Sequence, residues 1–407
     1  MTQKPLKILF VADVPVKDAS SGSQRMLQGY VQELARRGHR VTVLTRGDSF
    51  RTREEMWNGI HIVYFGIWRL NALTFFLSSM INSFRHFERL HRKEPFDLVH
   101  FQQELSSLGV LLSRKSRSMP KCFSYYSAWH AEYASRHSCD RNVSFLKTIW
   151  RKLNIFLMWK LKSYAMSRCN RITVLSQFSR QEIYVFYGAL HVPIRWIPGG
   201  VDIELFHPPD DKKELRKKLG CPEGIWLFLT VRNLEPRMGV DVLIDAVKKV
   251  REIRKDFRLW IGGSGPVEQT LKEKAKSLGL LDVITFLGYI GPELDLTQYY
   301  QAADAFILPT QYMEGFGLVT IEALASGVPV LGTPVGGTQE ILEGLNPTLL
   351  FESPSAEAMA EKMIAWMERD HCLLTPEACR AYVLEHYTWE KVVDTLLEVY
   401  QEILKTP

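Results

Sequence analysis

The chain has 407 residues, 46% hydrophobic and 24% charged, enough for two or three domains with separate cores and unlike a disordered polymer. No apolar run approaches the roughly 20 residues of a membrane span. Six scattered cysteines (Cys122, Cys139, Cys169, Cys221, Cys372, Cys379) form no C-x-x-C pair, so neither a zinc site nor a redox dithiol is expected. Without an export signal, they read as reduced thiols of a cytoplasmic protein. The net charge of +6 conceals an asymmetry: residues 1–205 carry 30 Lys and Arg against 15 Asp and Glu, and the remainder 21 against 30. The first half is therefore expected to face something anionic. No nucleic-acid module is recognisable, so the expected partner is a phosphate-bearing acceptor or the anionic inner surface of a membrane, with peripheral contact.

In chain order, short apolar runs alternate with helix-like stretches. Strands are expected at Ile8–Ala12, Arg40–Thr45, His61–Phe65, Leu98–Phe101, Lys121–Tyr126, Arg171–Leu175 and Arg195–Ile197. Between the first two, Met26, Leu27, Tyr30, Val31 and Leu34 recur at helical spacing, and Gly38 ends the helix. The stretch Phe145–Lys162 carries Lys147, Arg151, Lys152, Lys160 and Lys162, no acid, and interleaved Trp150, Phe156 and Trp159. It is expected as a domain helix with its apolar face in the core, the alternative being a helix lying on a membrane interface. The second half repeats the alternation, with strands at Ile225–Val231, Arg258–Ile261, Val283–Leu287, Ala305–Pro309, Val328–Leu331 and Leu349–Phe351. Its helices are expected at Gly239–Arg254, Val267–Gly279, Leu318–Ser326 and Ala356–Arg369. Such alternation predicts an α/β protein with parallel sheets covered by helices. The proline-rich His207-Pro208-Pro209-Asp210-Asp211 marks the expected join, giving domains 1–206 and 207–386 and a closing helix within 387–407.

The most informative segment is Gln311-Tyr312-Met313-Glu314-Gly315-Phe316-Gly317-Leu318-Val319-Thr320-Ile321-Glu322-Ala323. Gly315-Phe316-Gly317 opens a helix whose free N–H groups suit an anion. Glu314 precedes that helix and Glu322 lies within it, so both carboxylates can accept hydrogen bonds from hydroxyls. This composition suits a sugar joined to a phosphate.

The segment resembles the E-x7-E motif of retaining, nucleotide-sugar-dependent glycosyltransferases of the GT-B fold, the large family numbered four and also described as glycosyl transferases group 1. The resemblance covers nearly the whole chain and is most specific over 228–342. It implies two Rossmann-like domains facing across a cleft, with the last helix crossing back to the first domain. It assigns Glu314 to the donor sugar, Glu322 to the ribose, and Gly315, Phe316, Gly317 and Leu318 to the diphosphate end of the site. Val231-Arg232-Asn233-Leu234-Glu235-Pro236-Arg237-Met238-Gly239 resembles the family's Gly-Arg-Leu-x-x-x-Lys-Gly, whose two cations neutralise the leaving diphosphate. Arg232 matches the arginine. Met238 stands where the lysine is usual, and Arg237 is the nearest substitute; a branch of the family carries this Arg-Met-Gly form.

Further matches place Gly263, in Gly262-Gly263-Ser264-Gly265-Pro266, and Gly288, in Phe286-Leu287-Gly288-Tyr289-Ile290, near the nucleotide. Gly22 falls at the second glycine of the family's Gly-Gly pair, which meets the donor diphosphate. Aligning Trp129 and Glu132 with a common Trp-x-x-Glu form puts Tyr126 at the usual cleft histidine, while His130 follows nearby; the two remain alternatives. Gly336 and Gly337 resemble the family's Val-Gly-Gly turn. Asp304 and Pro309 match positions read as structural. The implied activity is retaining transfer of a hexosyl-type group from a nucleoside diphosphate sugar to the hydroxyl of an unidentified acceptor, anionic or lipid-linked. No cofactor and no metal are expected, because fixed cations take the place of a D-x-D clamp. A GT-B epimerase, a phosphorylase and a non-catalytic nucleotide-sugar-binding protein are the alternatives.

Overall fold

A computed structural model describes residues 4–17, 21–137, 144–291, 293–368 and 374–405. Cys139, Cys372 and Arg369, the last residue of one expected helix, lie outside the described residues. The chain divides into two compact units, Met1–Gly199 with Trp389–Pro407, and Gly200–Thr388.

The first unit is built on β1 (Lys7–Ala12), β2 (Arg40–Arg46), β3 (Arg53–Trp57), β4 (Ile60–Phe65), β5 (Leu98–Phe101), β6 (Lys121–Tyr125), β7 (Arg171–Val174) and β8 (Ile194–Trp196). They form one eight-stranded sheet in the order β3-β4-β2-β1-β5-β6-β7-β8. All pairings are parallel except β3 with β4. Central strands such as β1 are buried from Ile8 to Ala12, which explains their continuous apolar runs. The edge strand β3, Arg-Glu-Glu-Met-Trp, was not expected, because it is polar and half-exposed. Its readable signal is Asn58-Gly59: both residues adopt positive φ (48° and 79°) in a two-residue hairpin turn between β3 and β4.

The closing helix Trp389–Lys405 belongs to the first unit although it follows the second in sequence. It packs on the helix Gly22–Arg36, where an added Cβ at Gly29 would lie 2.0 Å from the Trp389 ring. The Tyr400 hydroxyl reaches Nδ1 of buried His100 at 2.6 Å, and Arg37 pairs with Asp394.

The helix Phe145–Ser167 takes the expected core role only in its last turns, where Ala165 and Met166 join the core and Trp159 packs against it. Only Lys162, Ala165 and Met166 are buried, whereas Phe145, Leu146, Ile149, Trp150, Leu153, Phe156 and Leu157 are exposed. The reason is length. Twenty-three residues of helix reach about 35 Å, while the four-residue strand that follows spans only about 13 Å, so the early turns overrun the sheet.

The second unit holds β9 (Trp226–Val231), β10 (Phe257–Gly262), β11 (Ile284–Gly288), β12 (Ala305–Leu308) and β13 (Val330–Gly332), all parallel, in the order β11-β10-β9-β12-β13. The expected strand Leu349–Phe351 is not a strand. Pro347–Leu349 is a short 3-10 turn, and Leu350 makes a single bridge to Gly332. Pro347 fixes the turn, and β13 ends at Gly332, so no ladder can grow. Asp304, just before β12, accepts from the Leu227 N–H at 2.8 Å, from Lys212 Nζ at 3.0 Å and from Arg216, a structural anchor of the sheet.

Candidate active site

In the second unit the chain passes outward through β9, β10 and β11, then returns to β12 on the other side of β9. The crevice beyond the carboxyl ends of β9 and β12 is thus the topological switch point, where ligands of open α/β sheets bind. The loop after β9 carries Arg232, Arg237 and Met238. The loop after β12 carries Glu314.

These two loops meet. Arg232 Nη2 donates to Glu314 Oε2 at 2.6 Å, and the two side chains are 5% and 13% exposed. The Thr310 hydroxyl donates to the same oxygen at 3.1 Å. Burial opposes the charge on Glu314, but Arg232 above all, with Arg237 and Thr310, holds its carboxyl below the ordinary range. Arg232 also lies against Met238, with Nη2 2.8 Å from the sulfur. Its other terminal nitrogen, Nη1, is buried without a hydrogen-bond partner. Met238 is buried, so the position usually held by lysine supports the Arg232 guanidinium rather than contributing a charge. Arg237 instead donates from Nη1 to the Met313 carbonyl at 2.9 Å and lies 3.5 Å from Glu235. It therefore braces the loop that presents Glu314.

The backbone of that loop is held from below. Gly337 N–H donates to the Glu314 carbonyl at 2.9 Å. A Cβ on Gly336, whose φ is +60°, would fall 1.9 Å from that carbonyl oxygen, and one on Gly337 would fall 2.5 Å from Phe316 Cα. The Gly-Gly turn is thus a buttress for the Glu314–Gly317 segment, a role the sequence left open. Met313 is a non-glycine residue at φ 60°, a conformation that costs energy where it occurs. Gly317 (φ 93°) starts the helix Leu318–Ala325, which has no side-chain N-cap. Its first N–H groups therefore face the loop with no side chain of the cap satisfying them. Phe316 is buried and packs edge-on against Tyr387 at 5.9 Å.

Glu322 takes a different environment. It is 3% exposed and accepts from the Tyr300 hydroxyl at 3.1 Å. Gly263 (φ +115°) lies where a Cβ would meet the Arg232 carbonyl oxygen at 1.8 Å, and its N–H donates to the Gly288 carbonyl at 2.7 Å. Both glycines therefore join the Arg232 loop to the end of β11. Beside Gly288 a cavity of about 180 Å³ is lined by Leu287, Tyr289, Ile290, Gly291, Tyr299 and others.

The remaining expected residues lie in the first unit. Gly22 begins the helix Gly22–Arg36, behind a Ser21 N-cap whose backbone N–H is bound by Gln24 Oε1 at 3.0 Å. Tyr126 follows β6 and donates from its hydroxyl to Gln102 Oε1; burial pushes that hydroxyl's pKa upward. His130 Nδ1 lies 3.2 Å from the Tyr187 hydroxyl, and the ring stands edge-on to Phe186 and Tyr187 at 5.1 and 5.6 Å. Burial, then Lys162, lowers its pKa from the ordinary histidine value. Gln102, Thr310 and Tyr300 were not singled out in the sequence. Only their places after a strand or within a helix flanking the site could have drawn attention to them.

Residues 20–205 match the family described as Glycosyltransferase Family 4, and residues 211–386 match Glycosyl transferases group 1. The chain belongs to this family of GT-B glycosyltransferases. It is 30% identical over 258 residues to the GDP-mannose-dependent alpha-(1-6)-phosphatidylinositol monomannoside mannosyltransferase of Mycobacterium tuberculosis, covering 59% of this chain and 66% of that relative. It is 26% identical over 415 residues to a D-inositol 3-phosphate glycosyltransferase of Nocardiopsis dassonvillei, covering 95% and 92%. Among solved structures, sucrose-phosphate synthase of Thermosynechococcus elongatus is alike with a TM-score of 0.79 at 20% identity, over 99% of this chain and 100% of that one. Anabaena HepE, in complex with UDP and glucose, gives 0.75 at 18% identity, over 97% and 99%. At such identities the likeness is one of fold.

Proposed function

We propose that the protein is a retaining glycosyltransferase that moves a hexosyl-type group from a nucleoside diphosphate sugar to an acceptor hydroxyl. The observation that carries this reading is the Arg232–Glu314 pair at the switch point of the second unit. A buried guanidinium with an unpartnered Nη1 is costly to leave unsatisfied, and a donor phosphate oxygen would satisfy it. Arg232 and Arg237, with the uncapped N-terminus of Leu318–Ala325, would neutralise the charge that develops on the leaving diphosphate. Glu314 would orient the donor sugar, Glu322 the ribose, and Gly263 and Gly288 would let the nucleotide approach the backbone. In this reading the leaving phosphate oxygen receives the acceptor's proton, and no side chain is assigned as general base. Neither a metal ion nor a cofactor is required, since fixed cations hold the diphosphate.

The acceptor we propose is anionic or lipid-linked and is received by the basic first unit. Tyr126 and His130 are the two candidate site residues of that unit. The relative named as GDP-mannose-dependent makes that donor the first to try. A thermal-shift screen with GDP-mannose and with UDP-, ADP- and dTDP-sugars, with and without EDTA, tests the donor site. One nucleotide sugar should stabilise the protein equally in EDTA. Stabilisation that needs a divalent ion, or none with any donor, counts against the proposal. NMR of the product anomer then tests retention.

A further inference from the structure

The helix Phe145–Ser167 is apolar on its outward side as well as on the side that meets the unit. At its far end Lys162 is buried, paired with Glu104 and bonded to the Ser127 carbonyl, each at 2.6 Å. Trp159 Nε1 donates to the Phe186 carbonyl at 2.7 Å, so the last turns are fixed to the unit. Along the earlier turns the apolar residues face outward. Leu146, Ile149, Trp150, Leu153, Phe156 and Leu157 recur at intervals of three and four and are 77%, 48%, 58%, 44%, 52% and 45% exposed. The half-buried side carries Ile155, Met158, Trp159 and Leu161 together with Arg151 and Asn154. A helix covered on that side alone would be polar on the outward one.

Charge narrows what can cover this face. Phe145–Ser167 contains Lys147, Arg151, Lys152, Lys160 and Lys162 and no acid. At 100° per residue, Lys147 and Lys152 fall on either side of the apolar stripe and Lys160 falls within it. A second copy of the helix would bring like charges together at Lys160 and offer no carboxylate to pair with. Moreover the stripe spans well over the width of a coiled-coil seam. Aromatic and aliphatic side chains flanked by lysines match an anionic lipid interface, where the apolar groups enter the acyl boundary and the cations meet lipid phosphates. The charge excess of residues 1–205 has the same sign.

We propose that the first turns of Phe145–Ser167 dock the protein onto an anionic bilayer surface, with Leu146, Trp150, Leu153, Phe156 and Leu157 immersed and Lys147, Lys152 and Lys160 at the headgroups. The inference deepens the lipid-linked acceptor reading, because it fixes the face that meets the acceptor's lipid. No helix among the described residues is long and apolar enough to cross a membrane, so the contact is peripheral.

Flotation with vesicles tests it on the full chain. The vesicles are phosphatidylcholine alone, or with about one-third phosphatidylglycerol. The protein should float with the anionic vesicles at low salt and be released at high salt. The triple variant Trp150→Ser, Leu153→Ser, Phe156→Ser should lose at least about tenfold in partitioning, as should Lys147→Glu with Lys152→Glu. All five positions are exposed or nearly so, and far-UV circular dichroism checks the fold of each variant. Absence of flotation overturns the proposal, as does flotation that the triple variant leaves unchanged. A wild-type dimer that the triple variant dissociates, with no flotation, would make the stripe a protein seam and also overturn it. Donor-induced thermal stabilisation is read on the same samples. Flotation without donor stabilisation sinks the transferase reading alone, and donor stabilisation without flotation sinks the membrane inference alone.

Discussion

Arg232 and Glu314 come from loops after different strands, β9 and β12, yet share a hydrogen bond of 2.6 Å at the edge of the second sheet. Each neutralises the other, and Thr310 and Met238 complete the pair's surroundings. Removing one partner leaves a buried charge. Glu314→Gln should lower the stability of the second unit by about 3 kcal/mol at pH 7 and abolish transfer while the fold is retained at 25 °C. The pH dependence follows from sign. The Glu314 carboxyl titrates lower in the folded unit than its ordinary 4.5, so its stabilisation is complete above that value and is lost as pH falls through the lower folded one. Urea unfolding of both proteins should therefore show a constant gap at neutral pH that closes in acid. A mutant with wild-type turnover would falsify the assignment of Glu314.

Arg237 carries the second prediction. Its guanidinium braces the Met313 carbonyl, and its charge acts on Glu314. If it stands in for the family's lysine, Arg237→Met should reduce kcat by about 10- to 100-fold, with a smaller change in donor KM, because charge on the diphosphate grows toward the transition state. Met238→Lys added to that variant should restore part of the loss. A double variant no faster than Arg237→Met would show that the missing charge is not replaceable from position 238.

The alternation of strands and helices was readable because buried parallel strands are continuously apolar, as in Ile8–Ala12 and Ala305–Leu308. The GT-B likeness and the Glu314 motif were readable from glycines placed where loops approach a ligand. Three things were not. The polar β3 hides behind its edge position, legible only through the Asn58-Gly59 turn. The outward stripe of Phe145–Ser167 has the same period whichever way it faces, so burial had to decide. The bracing of Glu314 by Gly337 and Arg237 is long-range, and local sequence carries no trace of which distant backbone a glycine must accommodate.

That bracing gives a third prediction. Gly336→Ala puts a methyl 1.9 Å from the Glu314 carbonyl oxygen, at a φ of +60°. The loop must move or the helix Gly336–Leu345 must shift. A loss of about 1–3 kcal/mol and a fall in transfer should appear together. Gly279→Ala is the control, since Gly279 has φ +68° with nothing near its Cβ. It should cost about 1 kcal/mol from strain alone and leave turnover unchanged. Equal effects of the two substitutions on turnover would remove the buttress role.

The last prediction concerns the first unit, where His100 joins the sheet to the closing helix. Its ring lies 2.6 Å from the Tyr400 hydroxyl and 2.8 Å from Ser124 Oγ, fully buried. Burial lowers its pKa from the ordinary 6.5 to about 3, so the folded unit keeps it neutral where the unfolded chain takes up a proton. Stability is thus unaffected by this group above pH 6.5 and falls as pH drops from 6.5 toward 3. The slope attributable to His100 approaches about 1.4 kcal/mol per pH unit. His100→Gln keeps polar atoms at the site but cannot titrate. It should be less stable than wild type at pH 7, yet lose stability less steeply in mild acid, so the two urea-derived curves converge. Parallel curves between pH 6 and pH 4 would mean that His100 is protonated in the folded unit, and that its bond to Tyr400 is not the neutral contact described.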